Sequence, residues 1–167
     1  PDVGYKVDIF LDRLSFSHEV NFGSDPKNGR LELDFPSISL ADLMLEKLQI
    51  HEINEKDVKD IIILLHEHGI STGQDRESVD AKYIASTLAN EWGFWYDATT
   101  NLNKVRNLAA DYAAKGLVPN EILADVQSKL NELKHFIDAE PKSKNWIQRE
   151  KIGVEKQWWI DVEEVSR

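Results

Sequence analysis

The sequence predicts an α+β fold, with a few short strands near the N-terminus followed by a predominantly helical region. Three observations carry this. Before Pro36, apolar residues alternate with period two in short pieces separated by turn-forming residues. After Pro36, they recur at the three- and four-residue spacing of a helix face. Ile122, Val126, Leu130, Leu133 and Ile137 then step by four, four, three and four residues, the clearest amphipathic stripe in the chain.

Taken in order, Val7 to Leu11 is a short apolar run that reads as a strand. Leu14, Phe16, Val20 and Phe22 share one parity, interrupted at His18. Gly23 to Gly29 is dense in turn residues, and Arg30 to Phe35 alternates again until Pro36 stops it. Ser39 is an N-cap with Asp42 three positions on, opening a helix through Leu40, Leu43, Met44 and Leu48. Asn54 and Asp57 repeat that spacing before Val58, Ile61, Ile62 and Leu65, and Gly69 is the expected stop. Asp80 to Trp92 predicts a third helix. Phe94 to Ala114 predicts a fourth, ended by Gly116, with Leu102, Val105, Leu108 and Tyr112 at helical spacing. Pro119 and Asn120 open the fifth and Pro141 closes it, while Trp146 to Ile152 is a short sixth. Gly69 to Val79 is the best boundary. It divides an α+β part, 1–70, from a helical part, 80–167, with 71–79 as linker or loop.

The 167 residues, 41% hydrophobic and 30% charged, suffice to bury a core. A net charge of -10 repels a nucleic-acid backbone. The best basic stretch, Lys142, Lys144, Arg149, Lys151 and Lys156, is diluted by Glu150 and Glu155 and reads as a solvated face. With no cysteine, zinc-thiolate sites and cysteine nucleophiles are excluded. The longest apolar run, Ile61 to Leu65, is too short to cross a bilayer, and no signal-peptide pattern opens the chain. The expected location is cytoplasmic. The chain opens at Pro1 without an initiator Met, and a strand pattern follows closely, which suggests a fragment or processed product.

Four residues are candidates for chemistry. Asp8, between Val7 and Ile9, points to the opposite strand face from its neighbours. It either lines a cleft and helps hold a divalent metal or is simply exposed. Lys47 sits on the shoulder of an apolar helix, where its ammonium either snorkels to solvent or meets phosphate. Lys56 and Asp57 occupy a helix N-terminus, where an anion is favoured, although Asp57 also suits a capping role. His66 and His68 are two apart, on different sides of a helix, and cannot share one ion. Gly23-Ser24 with Glu32-Leu33-Asp34 only superficially matches a Gly-Ser…Asp-x-Asp signature, because Pro26, Asn28 and Gly29 explain the turn as a hairpin. Trp146, Trp158 and Trp159 are either core residues or interface residues.

Three stretches together resemble a family of uncharacterised prokaryotic nucleotidyltransferase-like proteins. The first is Lys6-Val-Asp-Ile-Phe-Leu-Asp12 with His18-Glu19. The second runs from Arg30-Leu31 and Pro36 to Gln49, through Asn54-Glu-Lys-Asp57. The third has Phe94-Trp95, Asn101-Leu102, Pro141-Lys-Ser-Lys-Asn-Trp146, Arg149, Ile152-Gly153, Trp158 and Glu163-Glu164-Val165. The resemblance spans nearly the whole chain, and its middle block is the most specific part. It implies the short strands of a nucleotidyltransferase-like mixed sheet flanked by helices. It also implies Mg²⁺-dependent transfer of a nucleotidyl group from a nucleoside triphosphate to an unknown acceptor. Asp8 matches the third metal-binding acid, Lys47 the lysine of the Lys-Leu-Gln block, and Lys56 and Asp57 the Lys-Asp block. On this resemblance Asp8, Lys47 and Asp57 are catalytic, Asp8 holds the metal and Lys56 faces the nucleotide. The Gly-Ser and Asp-x-Asp elements have no match and would lie before Pro1, so this chain by itself is expected to be inactive. The alternative is a non-enzymatic helical interaction module with the three tryptophans as its interface.

Overall fold

A computed structural model describes residues 9–25, 29–73 and 75–161. Within them the α+β class is plain: six α-helices and four three-residue strands. The first two strands, β1 (Arg13–Ser15) and β2 (Glu19–Asn21), form an antiparallel hairpin with Leu14 opposite Val20. Leu14, Val20 and Phe22 are buried, so the alternation does mark an inward face. The turn of this hairpin lies at 16–18, where His18 interrupts the pattern.

Arg30–Phe35 departs from the expected strand. Arg30–Glu32 is a turn of 3₁₀ helix, followed by an isolated bridge between Asp34 and Ser37. Alternation alone does not make a strand, since a strand needs a ladder partner for its N–H and C=O groups. Arg30 instead donates from Nε to Asp42 Oδ1 at 2.7 Å and lies on the Tyr83 ring at 3.2 Å. Phe35 is left 70% exposed. In the Val7–Leu11 run, Val7 and Asp8 lie outside the described residues, and Ile9 to Leu11 belong to no strand.

Helices α1 (Leu40–Leu48) and α2 (Glu55–Glu67) begin at the expected caps. Ser39 Oγ accepts from Asp42 N, and Asn54 Oδ1 accepts from Asp57 N. Each satisfies a backbone donor that the first turn leaves unpaired. The 71–79 stretch is not loop at its two ends. Its ends enter a short parallel pair, β3 (Gly69–Ser71) and β4 (Ser78–Asp80), with Ile70 beside Val79. Asp80 caps α3 (Ala81–Leu88), which ends four residues before Trp92. Trp92 opens α4 (Trp92–Ala114) instead, capped by Glu91 through Gly93 N and Phe94 N. The fifth and sixth helices are α5 (Asn120–Ala139) and α6 (Lys144–Glu150).

One apolar cluster holds these pieces. It runs from Leu14 and Val20 through Met44, Leu48, Ile61 and Leu65 to Ile84, Leu88, Val105 and the α5 stripe, so it crosses the 71–79 stretch. On α5, Val126, Leu130, Leu133 and Ile137 are buried and Ile122 is partly so. The stripe packs against α2 and α3 as well as α4. No helix among the described residues is long and apolar enough to cross a membrane.

Because Leu130 is buried to 2% exposure, truncating it removes burial and leaves a cavity. Leu130→Ala should cost about 2–5 kcal/mol in a urea or thermal unfolding measurement.

Candidate functional site

Lys47 lies in the last turn of α1, facing the start of α2. Its Nζ donates to Asp57 Oδ1 at 2.6 Å and to Asp60 Oδ2 at 2.9 Å. The two acids are a helical turn apart on α2, which aims both at one point. Burial pushes the ammonium's pKa down, but the bonds to Asp57 and Asp60 outweigh it and leave it raised. Lys47 therefore stays charged. It borders an open depression of about 380 Å³ with an apolar floor from Leu40, Leu43, Ile61 and Leu64 and a polar rim that includes Asp60, Glu67 and His68. An ammonium has three protons. Two are held by carboxylates, which leaves a third that neither carboxylate takes.

Of the other candidates, Asp57 is brought to Lys47. Lys56 is exposed on the first turn of α2 and outside the lining of the depression. Asp8 lies outside the described residues, so its distance from Lys47 is not part of this geometry. The described residues do not fit Mg²⁺ by themselves. Among them no three His, Asp or Glu side chains gather as a metal site, and Asp57 and Asp60 are already occupied by the ammonium. His66 and His68 share no such group either.

A second constellation, which the sequence reading did not single out, lies around Asp97. Asp97, in α4, is 2% exposed and sits between two imidazoles. His18 Nε2 is 2.7 Å from Asp97 Oδ2, and His51 Nδ1 is 2.9 Å from Asp97 Oδ1. The other nitrogen of His18, Nδ1, is 3.0 Å from Glu91 Oε2. Both ring nitrogens of His18 thus face carboxylates, which only an imidazolium can satisfy with two donors. Burial works against that charge, yet the bonds to Asp97 and Glu91 raise the His18 pKa above its ordinary value. For Asp97, burial favours the neutral acid, but hydrogen bonds from His18 and His51 win and hold its pKa low. His51 forms part of the wall of a second open depression, about 590 Å³, with Ser17, Glu52 and Trp159. A signal did exist in the sequence. Asp97 and Asn101 are polar residues four apart on the inward stripe of α4, where Val105 follows.

No protein-family model, no curated protein and no solved structure matches this chain.

Removing Asp97 leaves a buried imidazolium facing Glu91 alone. Asp97→Ala should cost about 3–5 kcal/mol near neutral pH. The sign of the pH dependence follows from the two shifts. The stability from His18 is full below its unfolded pKa of about 6.5 and is lost as pH rises through its raised folded value. The stability from Asp97 is full above its unfolded pKa of about 3.9 and is lost as pH falls through its lowered value. Thermal melts of parent and variant across pH should therefore differ most between those limits, with the difference narrowing in acid as Asp97 protonates and narrowing in part in alkali as His18 loses its proton.

Proposed function

We propose that this chain belongs to a nucleotidyltransferase-like protein. The intact form would transfer a nucleotidyl group, with Mg²⁺, from a nucleoside triphosphate to an acceptor by in-line displacement. The 167 residues alone would transfer none. The observation that supports this most is Lys47, a charged lysine fixed by Asp57 and Asp60 at the rim of an open depression.

The role of each residue follows from its chemistry. Lys47 offers its remaining proton to a phosphate oxygen as a compact point charge. Asp57 and Asp60 fix where that proton points, and holding a group in place before the ligand arrives lowers the ordering cost of binding. Lys56, one residue before Asp57 and exposed, adds positive charge at a helix N-terminus that already favours anions. The absence of transfer follows from the missing acids. The sequence contains no Gly-Ser followed by Asp-x-Asp, and Asp8 alone cannot supply the several oxygens that Mg²⁺ takes.

Two measurements test the reading. Incubation of the purified chain with labelled nucleoside triphosphates and Mg²⁺ should label no acceptor, and robust Asp8-dependent labelling would place the catalytic acids elsewhere. Equilibrium dialysis should show triphosphate binding that weakens about tenfold or more in Lys47→Met, equivalent to about 1.4 kcal/mol. Equal binding by parent and variant would remove Lys47 from the site.

A further inference from the structure

The segment that follows α6 crosses back over the molecule. After the 3₁₀ turn Gly153–Glu155, residues 156–161 run across the start of α4, the α1–α2 turn and the β1–β2 hairpin. Three seats hold them. Gly93 is the first: a Cβ there would lie 2.8 Å from the Trp158 carbonyl oxygen and 3.0 Å from its Cβ, so the strap rests directly on the helix backbone. His51 is the second, with the Trp159 ring stacked on its imidazole at 3.8 Å and 8°. Ser17 is the third, accepting from Ile160 N at 3.0 Å. Arg149 adds a permanently charged tether, donating to the carbonyls of Gly153 and Lys156.

Two of these seats depend on one chain of ionisable groups. Glu91 caps α4 through Gly93 N, the residue on which Trp158 rests. Asp97 holds the imidazole on which Trp159 stacks. His18 joins Glu91 to Asp97 and needs both ring protons to do so. Once neutral, it keeps one proton, and a lone pair then faces one of the two carboxylates at hydrogen-bond distance. Whichever bond is lost, one seat of the strap loses its support.

We propose that residues 156–161 form a proton-controlled strap, seated while His18 is an imidazolium and released when it becomes neutral, which uncovers the His51 ring. The remaining charges around His18 leave this logic intact. On its own hairpin, Glu19 pairs outward with Arg13. From the α1–α2 turn come His51 and the exposed Glu52, and α4 adds Tyr96, whose ring contacts Trp158. On the strap, Asp161 binds Trp159 Nε1 and Gln157 Nε2. Lys156 is exposed. Of these groups only His18 has both titrating atoms closed between two acids.

Trypsin cleavage after Lys156 in the full chain reads the strap directly, because a seated segment resists a protease that needs extended backbone. The rate at each pH is divided by that of a free peptide of the same local sequence, which removes the enzyme's own pH profile. From about pH 6 to about pH 9 the normalised rate should rise about tenfold, the effect of about one pKa unit of coupling. His18→Gln and Glu91→Gln should flatten the profile, and Glu91→Gln keeps a side-chain acceptor for the α4 cap. If His18→Gln does not fold, Glu91→Gln decides alone. Gly93→Ala should cleave fast at every pH, because its Cβ would lie 2.8 Å from both the Trp158 carbonyl oxygen and Glu91 Oε1 and so displaces the strap and its support together. A flat parental profile, an unchanged rise in Glu91→Gln, or a parent-like rate in Gly93→Ala would each overturn the proposal.

Discussion

The Asp97 carboxylate between His18 and His51 is the contact on which the rest of the arrangement depends. The apolar core brings helices together, but hydrophobic burial is non-directional and sets no register. Register at this end of the molecule comes from polar groups. Asp97 ties α4 to the hairpin turn through His18 and to the α1–α2 turn through His51. One turn on, Asn101 Nδ2 donates to the carbonyls of Leu48 and Ile50 and so closes the C-terminal end of α1. Gln49, fully buried, accepts from His18 N. Phe94 stacks on the His18 ring at 5.1 Å and 2°, which excludes water from one face of the charge. A buried charge persists only with its partners in place, so three elements must meet here in one geometry or pay for an unpaired ion.

The two charged clusters differ in what they contribute to the fold. Lys47, Asp57 and Asp60 have side chains 25%, 15% and 42% exposed, and water and salt screen such a group. Its contribution to stability is of order 0–1 kcal/mol. The Asp97 group lies in a drier setting, with His18 and Asp97 side chains both 3% exposed. Losing one partner there costs several times more. A fixed but weakly stabilising lysine at the rim of a depression holds little together, which leaves room for the binding role proposed for it. The Asp97 group is better explained as an organiser of the fold, with the strap packed over His51.

The sequence made local features legible and hid those closed by distant partners. Ser39 with Asp42, Asn54 with Asp57, and the α5 stripe each depend on residues within one or a few turns, so spacing alone reveals them. Lys47 and Asp57, ten residues apart, also fall in one readable block. Asp97 meets His18 across 79 residues and His51 across 46, and no local pattern encodes either contact. Arg30–Phe35 misled for the opposite reason: its alternation is a local strand signal, but no strand among the described residues lies beside it. The start of α4 was obscured because Glu91 is not a favoured cap and Gly93 sits in the first turn, where it normally signals a break. Here Gly93 answers to packing against Trp158, a long-range need that helix propensity does not register.

The tryptophans carry the final step. An interaction module would present Trp146, Trp158 and Trp159 to a partner, because aromatic side chains dominate binding hot spots. In the fold Trp146 is buried, and Trp158 and Trp159 are partly buried against other rings. Trp146 is 5% exposed and meets Trp95 edge-on. Trp158 contacts Trp92, Tyr96 and His51, and Trp159 covers His51. Among the described residues the large hydrophobic side chains most open to water are Ile9 and Leu11 at 78%, Phe35 at 70% and Leu117 at 67%. The aromatic tail is thus best understood as an internal closure. Its Trp158 and Trp159 pair lies over the buried Asp97 junction, and that junction is where a proton can alter how firmly the closure holds.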